Sequence, residues 1–404
     1  MKNVDQLLRT AVQAAYANAP AVRARFDALG LTPDDVQSVA DLDKLPVLTK
    51  DEMVALQQSN PPFGGNLGAP LTEISRIFFS PGPLYEPGPD DDDPLWDVAT
   101  AALRRGGFGP GDIILNSLSY HLTPAGYLFE EAFVRVGATV IPGGVGNSDL
   151  QLQMLRDLGA TGYVGTPSFL MSLIQKAEAA GLDFKQVFKL RKALTTAEPL
   201  PPSLRQTLVD TYGIAVTNAY GTAEFGILAT SSDGGMAMQL LPAPIVQVVN
   251  PDSGVGVGPG ETGEVVVTNF SRVYPLLRFG TGDMAMNIDP NPGQSRQEER
   301  AIILVGRRGE AVKVRGMFLH PNQLRFAAGQ VPGVQAMQAV ITRPELRDHF
   351  ALRVALKSGA EETAVAAQIQ QAVQGLCRVR VDAVTFVDSL PPDAPPVHDI
   401  RTWD

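Results

Sequence analysis

The sequence predicts an α/β fold: a large N-terminal domain of parallel and mixed sheets with helices and a β-rich part, then a small α+β C-terminal domain. Three observations carry this. Between about residues 74 and 164, short apolar strands alternate with amphipathic helices, the pattern of a parallel sheet with helical crossovers. Near residue 240 the helical periodicity gives way to β-rich segments cut by Pro, Gly and Asp turns. After Gly309, two strand patterns, a helix and a last strand follow. A length of 404 residues also exceeds what one small core organises.

The elements follow in order. Val4, Leu7, Leu8, Ala11, Ala14 and Ala15 recur at helical spacing. Thr32-Pro33-Asp34-Asp35 reads as a second helix start, and Thr49-Lys50-Asp51-Glu52 as a capping box before Met53-Val54-Ala55-Leu56. This helical lead, residues 1–60, reads as a lid or packing element. Ile74–Phe79 is a strand into a turn; Pro94–Arg105 is a helix with Asp93 as cap. Strands are expected at Ile113–Leu115, Ala138–Ile141 and Gly162–Val164, with helices at Leu128–Val136 and Ser148–Leu158 between them. The β-rich part, about 240–305, contains Ile245–Val249, Gly263–Thr268 and Ala301–Val305. The expected boundary leaves 1–305 as the large domain and 306–404 as the small one. In the latter, Ala336–Ile341 and Phe350–Leu356 pair, Glu361–Leu376 is a helix and Val379–Val387 a strand.

Composition narrows the function. Formal charge is −10, against nonspecific binding to nucleic acid or anionic membrane. One cysteine, Cys377, excludes an internal disulfide and a four-cysteine zinc site, and reads as a small buried hydrophobe. With no apolar signal core behind Met1–Asp5 and no run long enough to span a bilayer, a cytoplasmic location is expected.

The motifs are more specific. Asn218-Ala219-Tyr220-Gly221-Thr222-Ala223-Glu224 places an aromatic ring, a glycine turn, a hydroxyl and a carboxylate together. That equipment suits a nucleotide beside a divalent metal, although a tight turn with an exposed Glu would read the same. Thr281-Gly282-Asp283 supplies two acceptor oxygens suited to a vicinal diol, or a hairpin turn. Gly306-Arg307-Arg308-Gly309 carries guanidinium groups suited to anions; Arg308 reads as a solvated surface charge. Thr196-Ala197-Glu198-Pro199, alone, is a strand end with a Pro turn.

In this order, and with Leu45-Pro46-Val47-Leu48-Thr49-Lys50 upstream, the motifs resemble the adenylate-forming superfamily and its phenylacetate–CoA ligase branch. The resemblance covers nearly the whole chain. It implies that ATP and a carboxylate, aromatic or otherwise hydrophobic, form an acyl-adenylate, that coenzyme A takes the acyl group, and that the small domain rotates between steps. It implies that Tyr220 stacks on adenine beside Gly221 and Thr196–Pro199, that Thr222 contacts the α-phosphate from one place early, and that Glu224 holds Mg²⁺. Asp283 would bind ribose and Arg307 the ribose and phosphates; Gly309 would be the hinge and Gly316 would border the pantetheine tunnel. Tyr120-His121 resembles an element between the acyl and adenylate pockets. Tyr127, Gly143, Gly144 and Thr166-Pro167-Ser168 would line the acyl side. The catalytic set implied is Glu224, Arg307 and His121. A homodimer is implied too.

Two stretches depart from the pattern. Where relatives carry a Ser/Thr/Gly-rich phosphate loop ending in Lys-Pro, this chain reads Ser80-Pro81-Gly82-Pro83-Leu84-Tyr85-Glu86-Pro87, with Glu86 for the lysine. Prolines remove two amide donors, and Asp90–Asp93 follows, read as a solvated loop leading to a helix cap. Where relatives place a C-terminal Gly-Lys, this chain has Pro395-Pro396, with His398 and Arg401 nearby. Both departures touch pyrophosphate loss. The two functional readings are therefore an acid–CoA ligase with an altered phosphate grip, and a non-ligating homologue that binds acyl-adenylate, AMP or acyl-CoA, in acyl transfer or as a partner subunit.

Overall fold

The computed structural model describes residues 4–80, 83–231, 233–310, 312–314, 317–343, 348–377, 379–391 and 393–401. The chain divides into two compact units. One comprises Met1–Val246, Val266–Thr281 and Arg296–Ala301; the other comprises Gln247–Val265, Gly282–Ser295 and Ile302–Asp404. Among the described residues no helix is long and apolar enough to cross a membrane.

The first unit opens on helices Val4–Asn18 and Pro20–Ala28. Leu8, Val12, Val22 and Phe26 pack with Leu42, Leu45 and Leu277 in one apolar cluster, so the lead is a packing element. The stretch expected to start a helix at Thr32 closes only a 3-10 turn, Pro33–Asp35. Asp35 Oδ2 accepts from both the Thr32 N–H and hydroxyl, and Asp41 repeats this on Ser38. These local side-chain bonds compete with helix propagation. At Thr49 the expected box forms: Thr49 Oγ1 accepts the Glu52 N–H at 3.2 Å and Glu52 Oε2 accepts the Thr49 N–H at 2.7 Å. Helix Lys50–Ser59 follows.

A two-stranded antiparallel ribbon joins β1 (Ile77–Ser80) to β2 (Leu84–Pro87). The main sheet of this unit contains β3 (Ile113–Asn116), β4 (Thr139–Pro142), β5 (Gly162–Gly165), β6 (Lys192–Thr195), β7 (Ala215–Thr222), β8 (Gly226–Ser231) and β9 (Met238–Leu240). Their spatial order is β9-β8-β7-β6-β5-β3-β4. β3 to β7 run parallel, as the alternation predicts, and β8 and β9 return antiparallel. Helices Leu95–Arg105, Ala125–Arg135, Ser148–Asp157 and Pro167–Ala179 lie among these strands in sequence. Apolar clusters around Phe108 and Phe133, and around Tyr163 and Leu173, form the core. Asp93 caps from one residue further out than expected: Pro94 precedes the helix, and Asp93 Oδ1 accepts the Leu95 N–H at 2.9 Å.

Strands β10 (Ile245–Val249), β11 (Thr262–Thr268), β12 (Phe279–Ile288) and β13 (Ala301–Arg307) follow in that spatial order. In the second unit β14 (Val312–Val314) pairs with β15 (Met317–Leu319). β16 (Val334–Thr342) pairs with β17 (His349–Leu356), as expected, and the pairing is antiparallel; the four-stranded order is completed by β18 (Ala383–Val387) and β19 (Val397–Asp399). The last predicted strand starts late, at Ala383, because Val379 and Val381 turn into the core beneath helix Glu362–Cys377. Cys377 sits in that core, and burial pushes its thiol up to about 12.

Candidate functional site

The Tyr220–Glu224 segment forms the corner between β7 and β8. Tyr220 pairs with Ala229 but Gly221 with Ile227, so the register slips between them. This local irregularity bends the strand and re-aims the residues that follow. Glycine is required at 221, because a Cβ there would lie 2.3 Å from the Gly226 carbonyl oxygen. Gly226 itself has φ +66°, which suits a residue without a side chain. The corner leaves the Thr222 hydroxyl and both Glu224 carboxylate oxygens buried without a hydrogen-bond partner. Tyr220 is buried.

Beside it, Thr195 of β6 is in register with Asn218 of β7, and their side chains meet at 3.2 Å. Thr196–Pro199 thus leaves the sheet at the carboxyl end of β6, the side on which open α/β sheets bind ligands. Thr196 is buried and donates its N–H to the Gly165 carbonyl at 3.0 Å. Ala197 is exposed with φ +69°, strained for a residue with a Cβ. Glu198 is engaged locally: its Oε1 accepts the Ser168 N–H at 2.7 Å, in the first turn of helix Pro167–Ala179. Thr166 caps that same helix, with its hydroxyl oxygen 3.3 Å from the Phe169 nitrogen.

Sequence reasoning missed the cation at this corner. Lys50 Nζ lies 2.9 Å from Glu224 Oε1, an ion pair outside hydrogen-bond geometry. The capping box starts the helix at Lys50, and a neighbouring clamp places it. Leu48 donates its N–H to the Arg278 carbonyl at 2.8 Å and accepts from the Gly280 N–H at 2.9 Å. The buried Arg278 guanidinium donates to the Leu42 and Leu45 carbonyls at 3.0 and 2.8 Å, with Asp43 at 3.3 Å. Burial holds the pKa of this arginine below its ordinary value, opposed by Asp43. The signal available in the sequence was the capping box itself, which identifies Lys50 as the first helical residue.

The same helix sets Glu86. Buried Gln57 takes the Tyr85 N–H on Oε1 and donates Nε2 to the Tyr85 carbonyl, both at 2.8 Å. Glu86, next on β2, is 4% exposed, and neither of its carboxylate oxygens has a hydrogen-bond partner. Its carboxyl is pushed up to about 8, first by burial and then by the Glu224 charge; the nearby Ser80 hydroxyl and Lys50 ammonium pull the other way. Glu86, Asp93 and Glu224 line one cavity of ≈ 60 Å³ with Phe78, Phe225 and Tyr274. The acidic run is therefore divided rather than uniformly solvated. Asp90 meets Arg272 at 3.0 Å and Asp91 meets Arg135 at 3.4 Å, while Asp93 is buried.

Other expected residues lie elsewhere. His121 is exposed, its N–H donating to Ser119 Oγ at 3.2 Å, and it does not line that cavity. Tyr120 accepts from Asn116 Nδ2 at 2.8 Å. Tyr127 accepts from Arg76, whose guanidinium also lies 4.2 Å from its ring centroid. Gln151 Nε2 closes the Gly143–Gly144 loop with a bond to the Gly144 carbonyl at 2.9 Å.

In the second unit, Arg307 Nη1 meets Asp283 Oδ1 at 2.8 Å. Arg308, expected as a solvated charge, instead meets the buried Glu264 carboxylate at 3.0 Å and the Pro251 carbonyl at 3.1 Å. Glu264 also accepts the Gly282 N–H at 3.1 Å, beside Asp283. Gly309 is exposed, and Gly316 lies outside the described residues. The Pro395 and Pro396 carbonyls accept from Gln338 Nε2 and the Ala339 N–H, both at 2.9 Å, docking β19 onto β16. Arg401 is engaged by Asp399 at 2.7 Å and Asp348 at 3.2 Å; His398 is exposed.

Residues 95–271 match the AMP-binding enzyme family. The chain is 27% identical to the phenylacetate-coenzyme A ligase of Escherichia coli K12 over 382 residues, 91% of this chain and 82% of that protein. Identity to the Pseudomonas putida phenylacetate-coenzyme A ligase is 28%, over 78% and 72% of the two chains. The fold is similar to that of an open conformation of 2-hydroxyisobutyryl-CoA ligase in complex with 2-HIB-AMP and CoA. The TM-score is 0.80 at 23% identity, covering 98% of this chain and 90% of the other. By these similarities the chain resembles the adenylate-forming enzymes, and the phenylacetate-coenzyme A ligases among them.

The residues present fit the groups that this resemblance implies unevenly. The orphaned Thr222 hydroxyl can donate to a phosphate oxygen. Glu224 can give Mg²⁺ a single carboxylate ligand, the rest coming from phosphate oxygens and water. Among the described residues, no group of three or more His, Cys, Asp or Glu side chains could hold a metal by itself. Glu86, where the resemblance leads to the expectation of a lysine, supplies no positive charge to an incoming phosphate.

Proposed function

We propose that this protein is an AMP-forming acid–CoA ligase: it takes a carboxylic acid, aromatic in the favoured case, through an acyl-adenylate to a CoA thioester. The observation that carries the reading is the β7–β8 corner. It holds a hydroxyl and a carboxylate buried with no hydrogen-bond partner, in a chain aligned with phenylacetate–CoA ligases over 91% of its length. Buried polar atoms without partners are costly, and a ligand that supplies the partners offsets that cost. In this reading Thr222 donates to the α-phosphate, Tyr220 and the Thr196–Pro199 segment border the base, and Asp283 accepts from the ribose hydroxyls. Arg307, held ready by Asp283, contacts anionic oxygen. Gly316 borders the pantetheine and His121 the acyl group. Mg²⁺ bound at Glu224 would neutralise phosphate charge. A cytoplasmic location and a homodimer belong to the same reading, as does a boundary between mobile domains near residues 306–310.

Glu86 and Pro395–Pro396 support a second reading, in which only the later half-reaction survives and the protein accepts a preformed acyl-adenylate or acyl-CoA. Separate assays divide the two. Pyrophosphate exchange into ATP, with Mg²⁺ and a panel of aromatic and aliphatic acids, reports adenylation. Preformed acyl-adenylates with CoA report thioester formation. Activity in both supports the ligase, and activity in the second alone supports the half-enzyme. Absence of both, beside an active phenylacetate–CoA ligase control, overturns acyl transfer by this chain.

A further inference from the structure

The cavity between β2 and the β7–β8 corner has a charge pattern that acyl-adenylate chemistry does not use. Three carboxylates line it, Glu86, Asp93 and Glu224, and none of its lining residues is basic. Asp93 accepts the Leu95 N–H at 2.9 Å. Glu224 has Lys50, which approaches from outside the lining. Among the described residues, Glu86 has no ion-pair partner at contact distance and no hydrogen bond to either buried oxygen; the nearby Ser80 hydroxyl is itself without a partner. Polar groups this deep are ordinarily satisfied, so an unsatisfied carboxylate facing a cavity marks a missing donor.

The missing donor is constrained. An anion finds no basic group in the lining. A metal ion held by protein alone lacks a competent cluster among the described residues. The cavity volume of ≈ 60 Å³ admits a group a few times the size of a water. Phe78, Phe225, Phe270 and Tyr274 add aromatic walls, which attract a cation by their faces. A protonated amine meets all of these conditions: three N–H donors, one positive charge and a compact apolar tail. We propose that this cavity binds the ammonium group of a small primary amine, with Glu86 as its counter-ion. This site shares Glu224 with the proposed Mg²⁺ position, but its test needs neither ATP nor CoA.

The test is calorimetric titration of the full chain with methylammonium and ethylammonium at matched ionic strength, beside tetramethylammonium and potassium controls. Saturable binding of the primary amines, with no response to the controls, is the expected result. Glu86→Gln should weaken binding by about tenfold or more, equal to about 1.4 kcal/mol. Asp91→Asn, outside the cavity, should leave binding unchanged; circular dichroism checks that both variants fold. Affinity should rise with pH toward the titration of Glu86, since the bound form needs its carboxylate. Glu224, Asp93, Lys50 and Tyr274 are the other ionisable groups around that carboxylate. Equal responses to potassium and methylammonium, no saturable binding at alkaline pH, or undiminished binding by Glu86→Gln would each overturn the proposal.

Discussion

Glu224 and Glu86 are the same residue type, buried at the same cavity, and their circumstances are opposite. Glu224 has an ammonium 2.9 Å from its carboxylate; Glu86 has no partner, and its carboxyl is pushed up to about 8. One helix governs both. Lys50, at its first residue, reaches Glu224, and Gln57, two turns on, grips the backbone beside Glu86. The difference teaches that a buried carboxylate depends on the counter-ion that distant segments bring to it, since burial alone favours the neutral acid.

Removing the donor from Glu224 should have the largest effect. Lys50→Met leaves a buried carboxylate uncompensated, which costs about 3–5 kcal/mol in fully buried pairs. Lys50 is 26% exposed, so a loss of roughly 2–3 kcal/mol is expected in urea unfolding at neutral pH. The double variant Lys50→Met/Glu224→Gln should recover most of it. A double variant no better than the single one would show that Lys50 acts through something other than Glu224.

The converse change at Glu86 should stabilise, with a defined sign in pH. A carboxyl raised from 4.5 to about 8 contributes stability that is fully present below 4.5 and is lost as pH rises through 8. Glu86→Gln has no proton to lose, so it should gain about 2 kcal/mol over the parent at alkaline pH and show no gain in acid. Thermal melts across that range read the difference directly. A parent and variant with parallel pH profiles would remove Glu86 from the account.

The smallest stability effect is expected at the Arg307–Asp283 ion pair. Arg307 has its side chain 61% exposed beside Asp283, so Arg307→Gln should cost less than about 1 kcal/mol of stability. Thioester formation from preformed acyl-adenylate should nonetheless fall by about tenfold, or about 1.4 kcal/mol of lost ligand interaction. A variant as active as the parent would leave Arg307 as a surface ion pair only.

Much of this was legible in the sequence. The parallel alternation through β3–β7, the Thr49–Glu52 box and the pairing of β16 with β17 all form where the pattern places them. So does the glycine corner, whose need for glycine follows from the 2.3 Å approach of the Gly226 carbonyl. The failures share a cause. Thr32–Asp35 carries helix-start residues, but those side chains bond their own turn and stop there. Arg308 reads as solvated because nothing near it in sequence announces Glu264.

By itself, then, the sequence determined the elements, their order and the motif corner, because capping, periodicity and turn sterics act within a few residues. Tertiary structure alone decided which cation meets which carboxylate: Lys50 meets Glu224, Arg308 meets Glu264, and neither oxygen of Glu86 takes a hydrogen bond. Those pairings depend on where distant segments come to rest. The energy of a buried charge is set by atoms within a few ångströms, whatever their separation along the chain.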